Sequence, residues 1–148
     1  MNITSNFKKS NFDKAVDLLI KKNKQNRDKN KKNVKEISNV LYLISLCTVH
    51  CNIGRGTGKT NYIGTHATTD DIIVVPNFYL KKPFLKKHGQ HMENNIFAIN
   101  QLEKIRGLAF SNVYVDEPAL CFKNYDKVEF YRDIARSGGE HTIIMLGE

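Results

Sequence analysis

The run Cys51-Asn52-Ile53-Gly54-Arg55-Gly56-Thr57-Gly58-Lys59-Thr60 constrains this chain more than any other segment. It follows an apolar stretch, Leu41 to Val49, and sets three glycines at alternate positions ahead of a Lys-Thr pair. Glycine at 54, 56 and 58 lets the backbone curl tightly and aim successive N–H groups at one anion. Lys59 then reaches the β- and γ-phosphates of ATP, and Thr60 offers a hydroxyl to Mg²⁺. The helix expected to start near Lys59 adds its positive N-terminal end. Gly54, Arg55, Gly56, Thr57, Gly58, Lys59 and Thr60 are therefore read as a nucleotide-binding loop. It departs from the general pattern at one place: the glycine due five residues ahead of Gly58 is Ile53, and the first glycine comes one position later.

A second segment completes the site on paper. Ser111-Asn112-Val113-Tyr114-Val115-Asp116-Glu117 reads as a short β-branched strand ending in two carboxylates. A buried strand that stops at an acidic pair places the first carboxylate beside the metal and the second beside the γ-phosphate. Asp116 is expected to hold Mg²⁺, mostly through water, and Glu117 to act as general base on the attacking water. Taken alone, the same residues also fit a strand followed by a solvated acidic turn that Pro118 closes.

Charge is distributed unevenly. Residues 1–36 carry 11 Lys/Arg against 4 Asp/Glu, and the rest of the chain 12 against 11. The body is nearly neutral, and the basic character belongs to the N-terminal segment. Its Lys- and Asn-rich stretch, Lys21 to Lys35, fits two roles: contact with nucleic-acid phosphates, or a solubilising face. At 148 residues there is room for one domain with a real core. Cysteines 47, 51 and 121 form no even disulfide framework, so buried reduced thiols are expected. His88 and His91 are read as surface residues. No stretch is apolar and long enough for a membrane span, and no secretory signal is evident, which makes the cytoplasm the expected compartment.

Periodicity predicts a helix over Asn11 to Lys24, a charged linker to about Asn33, and a helical pattern beginning at Val34. A strand over Cys47 to Asn52 leads into the loop, and a short helix, Lys59 to His66, leaves it. Further strands are expected at Asp71 to Val75, Asn95 to Ile99, Val113 to Val115 and Thr142 to Leu146. Tyr79 to Glu93, basic and interrupted by Gly and Pro, has no clear period. Leu102 to Arg106 reads as a turn or short helix, and Tyr125 to Arg136 as a helix capped by Ser137-Gly138-Gly139. Strands alternating with helices imply an α/β fold: a mostly parallel sheet covered on both faces.

These segments together resemble the ATPase domain of viral and phage DNA-packaging motors, the large terminase subunits. The compressed loop Gly54-Arg55-Gly56-Thr57-Gly58-Lys59-Thr60 carries an arginine four residues before the lysine, a common terminase placement. Ile105-Arg106-Gly107-Leu108-Ala109-Phe110 runs straight into the acidic strand. Ile72-Ile73-Val74-Val75-Pro76-Asn77 is similar to the second strand of helicase-like ATPases, and Thr142 to Gly147 lies where a γ-phosphate-sensing motif would be. The resemblance covers about residues 40–148. It implies a RecA-like core over 34–148, C-terminally incomplete because the chain stops after the sensing strand, with a basic helix and linker over 1–33. It further implies ATP hydrolysis coupled to movement on duplex DNA, with Arg55 as an arginine finger supplied in cis or as a salt bridge shaping the loop. A ring of like subunits, or other motor or portal subunits, is the implied assembly, with Arg132 and Arg136 as candidate arginines offered to a neighbour. The sensing strand departs from the pattern by ending Leu146-Gly147-Glu148 in place of a Thr or Ser. A helicase-type or replication ATPase, and an incomplete non-motor scaffold, are the competing readings.

Overall fold

The computed structural model describes residues 10–31, 38–52, 58–137 and 140–147. Five strands, β1 (Thr48–Cys51), β2 (Ile72–Val75), β3 (Ile96–Ala98), β4 (Asn112–Asp116) and β5 (Thr142–Leu146), form one all-parallel sheet in the order β1-β5-β4-β2-β3. Six α-helices accompany it: α1 (Asn11–Asn30), α2 (Asn39–Leu46), α3 (Lys59–His66), α4 (Lys81–His88), α5 (Pro118–Cys121) and α6 (Lys127–Ala135). Short 3₁₀ segments at Phe78–Leu80, Gln90–Asn95 and Ile99–Ile105 complete the connections.

The central strands are apolar through their middles because both faces of the sheet are covered. Side chains alternate across the sheet, so each strand divides its residues between two cores. Ile72, Val74, Val113, Val115, Ile143 and Met145 face one side, where they pack with Leu43 of α2, Phe130 and Ile134 of α6, and Leu102 and Ile105. Ile73, Val75, Tyr114, Ile144 and Leu146 face the other, against Phe12 and Val16 of α1, Tyr62 and Ile63 of α3, and Phe84 and Leu85 of α4.

Helix starts follow local chemistry. The Ser10 hydroxyl accepts from the Asp13 amide, Ser38 from Leu41, and the Asp126 carboxylate from Val128 and Glu129, which satisfies amides that no helix carbonyl can reach. The α6 turn closes with Ser137, whose hydroxyl donates to the carbonyls of Ile105 and Asp133. Gly138 and Gly139, expected in that cap, lie outside the described residues, as do Val34 and Ile37.

The N-terminal segment differs from the expectation. No linker begins after Lys24; α1 continues through Asn30. The reason is a tertiary contact that no local pattern encodes. The Arg27 side chain is only 4% exposed, and it donates to the His141 carbonyl at 2.9 Å and the Thr142 hydroxyl at 2.8 Å, at the start of β5. At the other end of α1, Asp17 accepts a 2.7 Å hydrogen bond from Tyr62, whose ring stacks on His66 at 3.8 Å. The helix therefore crosses the sheet from the strand ends back to their starts, and Arg27 is a structural anchor within the basic segment. The segment Tyr79 to Glu93, without a period in sequence, holds α4. His88 is also more than a surface residue: its ring packs on Gly64 of α3, where an added Cβ would come within 2.0 Å of it. His91 is exposed, as expected.

Arg27→Met keeps the apolar stem but leaves the His141 carbonyl and Thr142 hydroxyl without their donor. It is expected to lower stability by about 2–3 kcal/mol. Lys24→Met, one turn away and exposed, should stay within about 0.5 kcal/mol of the parent. Urea unfolding midpoints of the two variants measure the difference.

Candidate functional site

In a parallel sheet every strand ends at the same edge, and the loops beyond that edge can share one crevice. Here the alignment is close. Leu146 of β5 pairs in register with both Cys51 of β1 and Asp116 of β4. The Gly147 amide donates to the Cys51 carbonyl at 3.0 Å, and the Glu117 amide to the Leu146 carbonyl at 3.3 Å. The backbone after β1, the acidic pair after β4 and the end of β5 thus meet side by side.

Gly54, Arg55, Gly56 and Thr57 lie outside the described residues. Gly58 is the first described residue after them and caps α3 in a left-handed conformation, φ +92°. Lys59 and Thr60 occupy the first turn of α3. The Thr60 hydroxyl donates to the Asp116 carboxylate, 3.2 Å from Oδ2 and 3.5 Å from Oδ1, although the two residues are 56 positions apart. Gly58, Lys59, Thr60, Asn61, Lys87, Glu117 and Leu120 line a cleft of about 450 Å³. Of the residues named from the sequence, Lys59, Thr60 and Glu117 line it, and Asp116 joins them through its hydrogen bond with Thr60.

Glu117 is held by unusual backbone. It has φ +53° and is the sole non-glycine residue with positive φ among the described residues. Such a conformation costs on the order of 1–3 kcal/mol and persists where its surroundings over-determine it. Three contacts do so. Its amide is fixed on Leu146, its carbonyl accepts from the amides of Leu120 and Cys121 at 3.1 Å each, and Pro118 at the first position of α5 presets the following turn. The result turns the chain sharply away from β4, with the Glu117 side chain on the cleft. Gly147 fits against this turn. Its φ is +128°, and an added Cβ would lie 3.1 Å from Pro118 Cδ and 3.5 Å from Glu117 Oε2. A side chain at this position, Thr or Ser included, would be strained and would crowd the Glu117–Pro118 turn.

Asp116 is 8% exposed. Burial raises its carboxyl pKa above the ordinary aspartate value, and the neighbouring Glu117 charge adds to the rise; the Thr60 hydrogen bond and the Lys59 charge oppose it. A desolvated carboxylate with a hydroxyl beside it and a second carboxylate next in sequence suits a hard, oxygen-seeking dication. Among the described residues no three His, Cys, Asp or Glu gather into a metal cage. Two protein oxygens are what Mg²⁺ takes when phosphates and water complete its shell. The donor set fits that ion. The three cysteines are buried, unpaired thiols, and burial pushes the Cys121 thiol up to about 12 while it donates to the Asp116 carbonyl.

Lys87, Asn61 and Leu120 were not named from the sequence. Lys87 falls in the segment that lacked a period, where the local excess of lysine was the available signal. Arg106 of the Arg106-Gly107 run pairs with buried Asp133 at 2.9 Å, and Phe110 stacks on His141, so this run packs the core. Arg132 pairs with Glu129 and Arg136 with Asp133, and neither lines the cleft.

Because folding raises the Asp116 pKa, the native state binds that proton more tightly than the unfolded chain does. Its contribution to stability therefore falls as pH rises above the ordinary value of 3.8. Asp116→Asn removes this loss. The nucleotide-free variant should be more stable than the parent at neutral pH, with a flatter pH dependence, in urea unfolding at about pH 4 and about pH 7. Parallel pH profiles for the two proteins would contradict the burial argument. No protein-family model matches the chain, and no curated protein matches it with significant sequence similarity.

Proposed function

We propose that this chain is a Mg²⁺-dependent ATP-binding and hydrolysing domain of the RecA-like class that acts on DNA. The observation that carries the reading is the hydrogen bond between Thr60 and Asp116 at 3.2 Å, with Lys59 and Glu117 beside it. A hydroxyl at the start of the helix after a glycine-rich loop, meeting the carboxylate that ends a neighbouring buried strand, is the arrangement a nucleotide-bound Mg²⁺ requires. The strand order supports it as well, because β5 lies between the loop strand β1 and the acidic strand β4 and ends against both.

The residues divide the work by position. Gly58 and the first amides of α3 face the phosphates, and Lys59 offers the point charge for the β- and γ-oxygens. Thr60 and Asp116 would hold Mg²⁺, which would supply charge neutralisation to the bound phosphates. Glu117, turned toward the cleft by its left-handed backbone, accepts the proton of the attacking water. Lys59→Ala is expected to abolish ATP binding or weaken it severely by calorimetry. Glu117→Gln should bind ATP like the parent and lower turnover about 10²-fold or more. Parent-like ATP binding by Lys59→Ala would rule out the loop's assigned role, and parent-like turnover by Glu117→Gln would rule out the base.

Within this class we favour a DNA-packaging motor of terminase type, assembled as a ring or with portal subunits. Since Arg106-Gly107 has a packing role, the preference over a helicase-type ATPase rests on Arg55. An arginine engaged in the transition state alone changes rate and not ground-state affinity. Arg55→Ala should therefore cut turnover by about 10³-fold or more, with only a few-fold change in ATP affinity. Near-normal turnover in an assembly that hydrolyses ATP would favour the helicase-type reading.

A further inference from the structure

The turn after β2 exposes three large apolar side chains in succession. Phe78 is 60% exposed, Tyr79 85% and Leu80 43%. A buried four-residue strand leads directly into this run, and α4 follows it without a break. The same stretch is basic: between Phe78 and Asn95 there are four lysines, Lys81, Lys82, Lys86 and Lys87, and one acidic residue, Glu93. Lys82 and Lys86 are four residues apart and exposed, so they lie on one face of α4. Phe78, Lys81, Lys82 and Leu85 line a groove of about 430 Å³ with Gln90 and Glu93.

We propose that Phe78 and Tyr79, with Lys81, Lys82 and Lys86, form a docking platform for single-stranded nucleic acid. This deepens the reading of a DNA-acting ATPase and rests on it for the partner class; a single-strand platform suits the helicase-type member of that class, whereas a packaging motor grips duplex. Exposed aromatic rings offer faces on which unpaired bases stack regardless of sequence, and adjacent lysines track the phosphates. A protein partner would need an apolar surface that tolerates four clustered ammonium groups; a polyanion with π-faces complements both halves of the patch. The location supports the assignment. The turn follows the C-terminal end of β2, at the edge where the cleft opens, and the far end of α4 contributes Lys87 to the cleft itself. The basic half of α1 lies elsewhere, since Arg27 anchors it at the start of β5.

The test uses the full chain, a labelled oligothymidine of about 20 nucleotides, a duplex of equal length, and a fluorescent ATP analogue. The parent should bind the single strand more tightly than the duplex. Tyr79→Ala should weaken single-strand binding about tenfold. Lys82→Glu/Lys86→Glu should weaken it further and reduce the salt slope by about one to two units. All three residues are exposed, and parent-like thermal unfolding of the variants establishes that their folds are intact. Unchanged oligonucleotide binding in both variants overturns the platform, as does a parent that prefers duplex. The two readings fail separately. Oligothymidine binding with no analogue binding leaves the platform standing and removes the ATPase, whereas analogue binding with no oligonucleotide binding does the reverse.

Discussion

The ladder at the end of β5 is the constraint on which the site depends. Leu146 pairs with Cys51 on one side and Asp116 on the other, and two further backbone hydrogen bonds extend the pairing to Gly147 and Glu117. Backbone hydrogen bonds in a buried sheet are costly to leave unmade, so register here is strongly specified. A slip of one residue would turn Asp116 to the other face of the sheet and take its carboxylate away from Thr60. The chemistry of the cleft is a consequence of sheet register before it is a matter of side-chain choice. That is also why Ile143, Ile144 and Met145, remote from any ligand, are fully buried: they lock the strand that sets the alignment.

The site stores unfavourable free energy in two forms. Asp116 is desolvated beside a second carboxylate, and Glu117 sits in a backbone region that side-chain-bearing residues avoid. Neither helps the fold by itself. Both are sustained by the two apolar cores, one on each face of the sheet, and by the turn that Pro118 and Gly147 close. Local rules broken at a site and upheld everywhere else are a pattern expected of functional residues.

Much of the architecture was legible because parallel strands buried on both faces leave uninterrupted apolar runs. Ile72 to Val75 and Thr142 to Leu146 could be placed nearly residue for residue, and α3 begins at Lys59 and ends at His66 as the loop and the following pattern implied. The convergence of Thr60 with Asp116 was legible from their residue types and order along the chain. What was hidden depended on contacts distant in sequence. The extension of α1 follows from Arg27 meeting Thr142, 115 positions away. Helix α4 was obscured by Pro83 and by lysines that break its apolar period, and its placement follows from burial of Phe84 and Leu85 in the core it shares with α1, α3 and the sheet. The strained turn at Glu117 has no local signature at all, because any residue before a proline reads as extended.

One contact between helices has a mechanical consequence. At Gly64 the His88 ring lies where a side chain would begin, so α3 and α4 approach closely there. Close-packed elements of this kind cannot slide in small increments; they shift as one body or stay still. The first turn of α3 carries Lys59 and Thr60, and the last turn of α4 carries Lys87 and His88. A tilt at the phosphate end of α3 would therefore press on His88 and carry its neighbour Lys87 with it in the cleft.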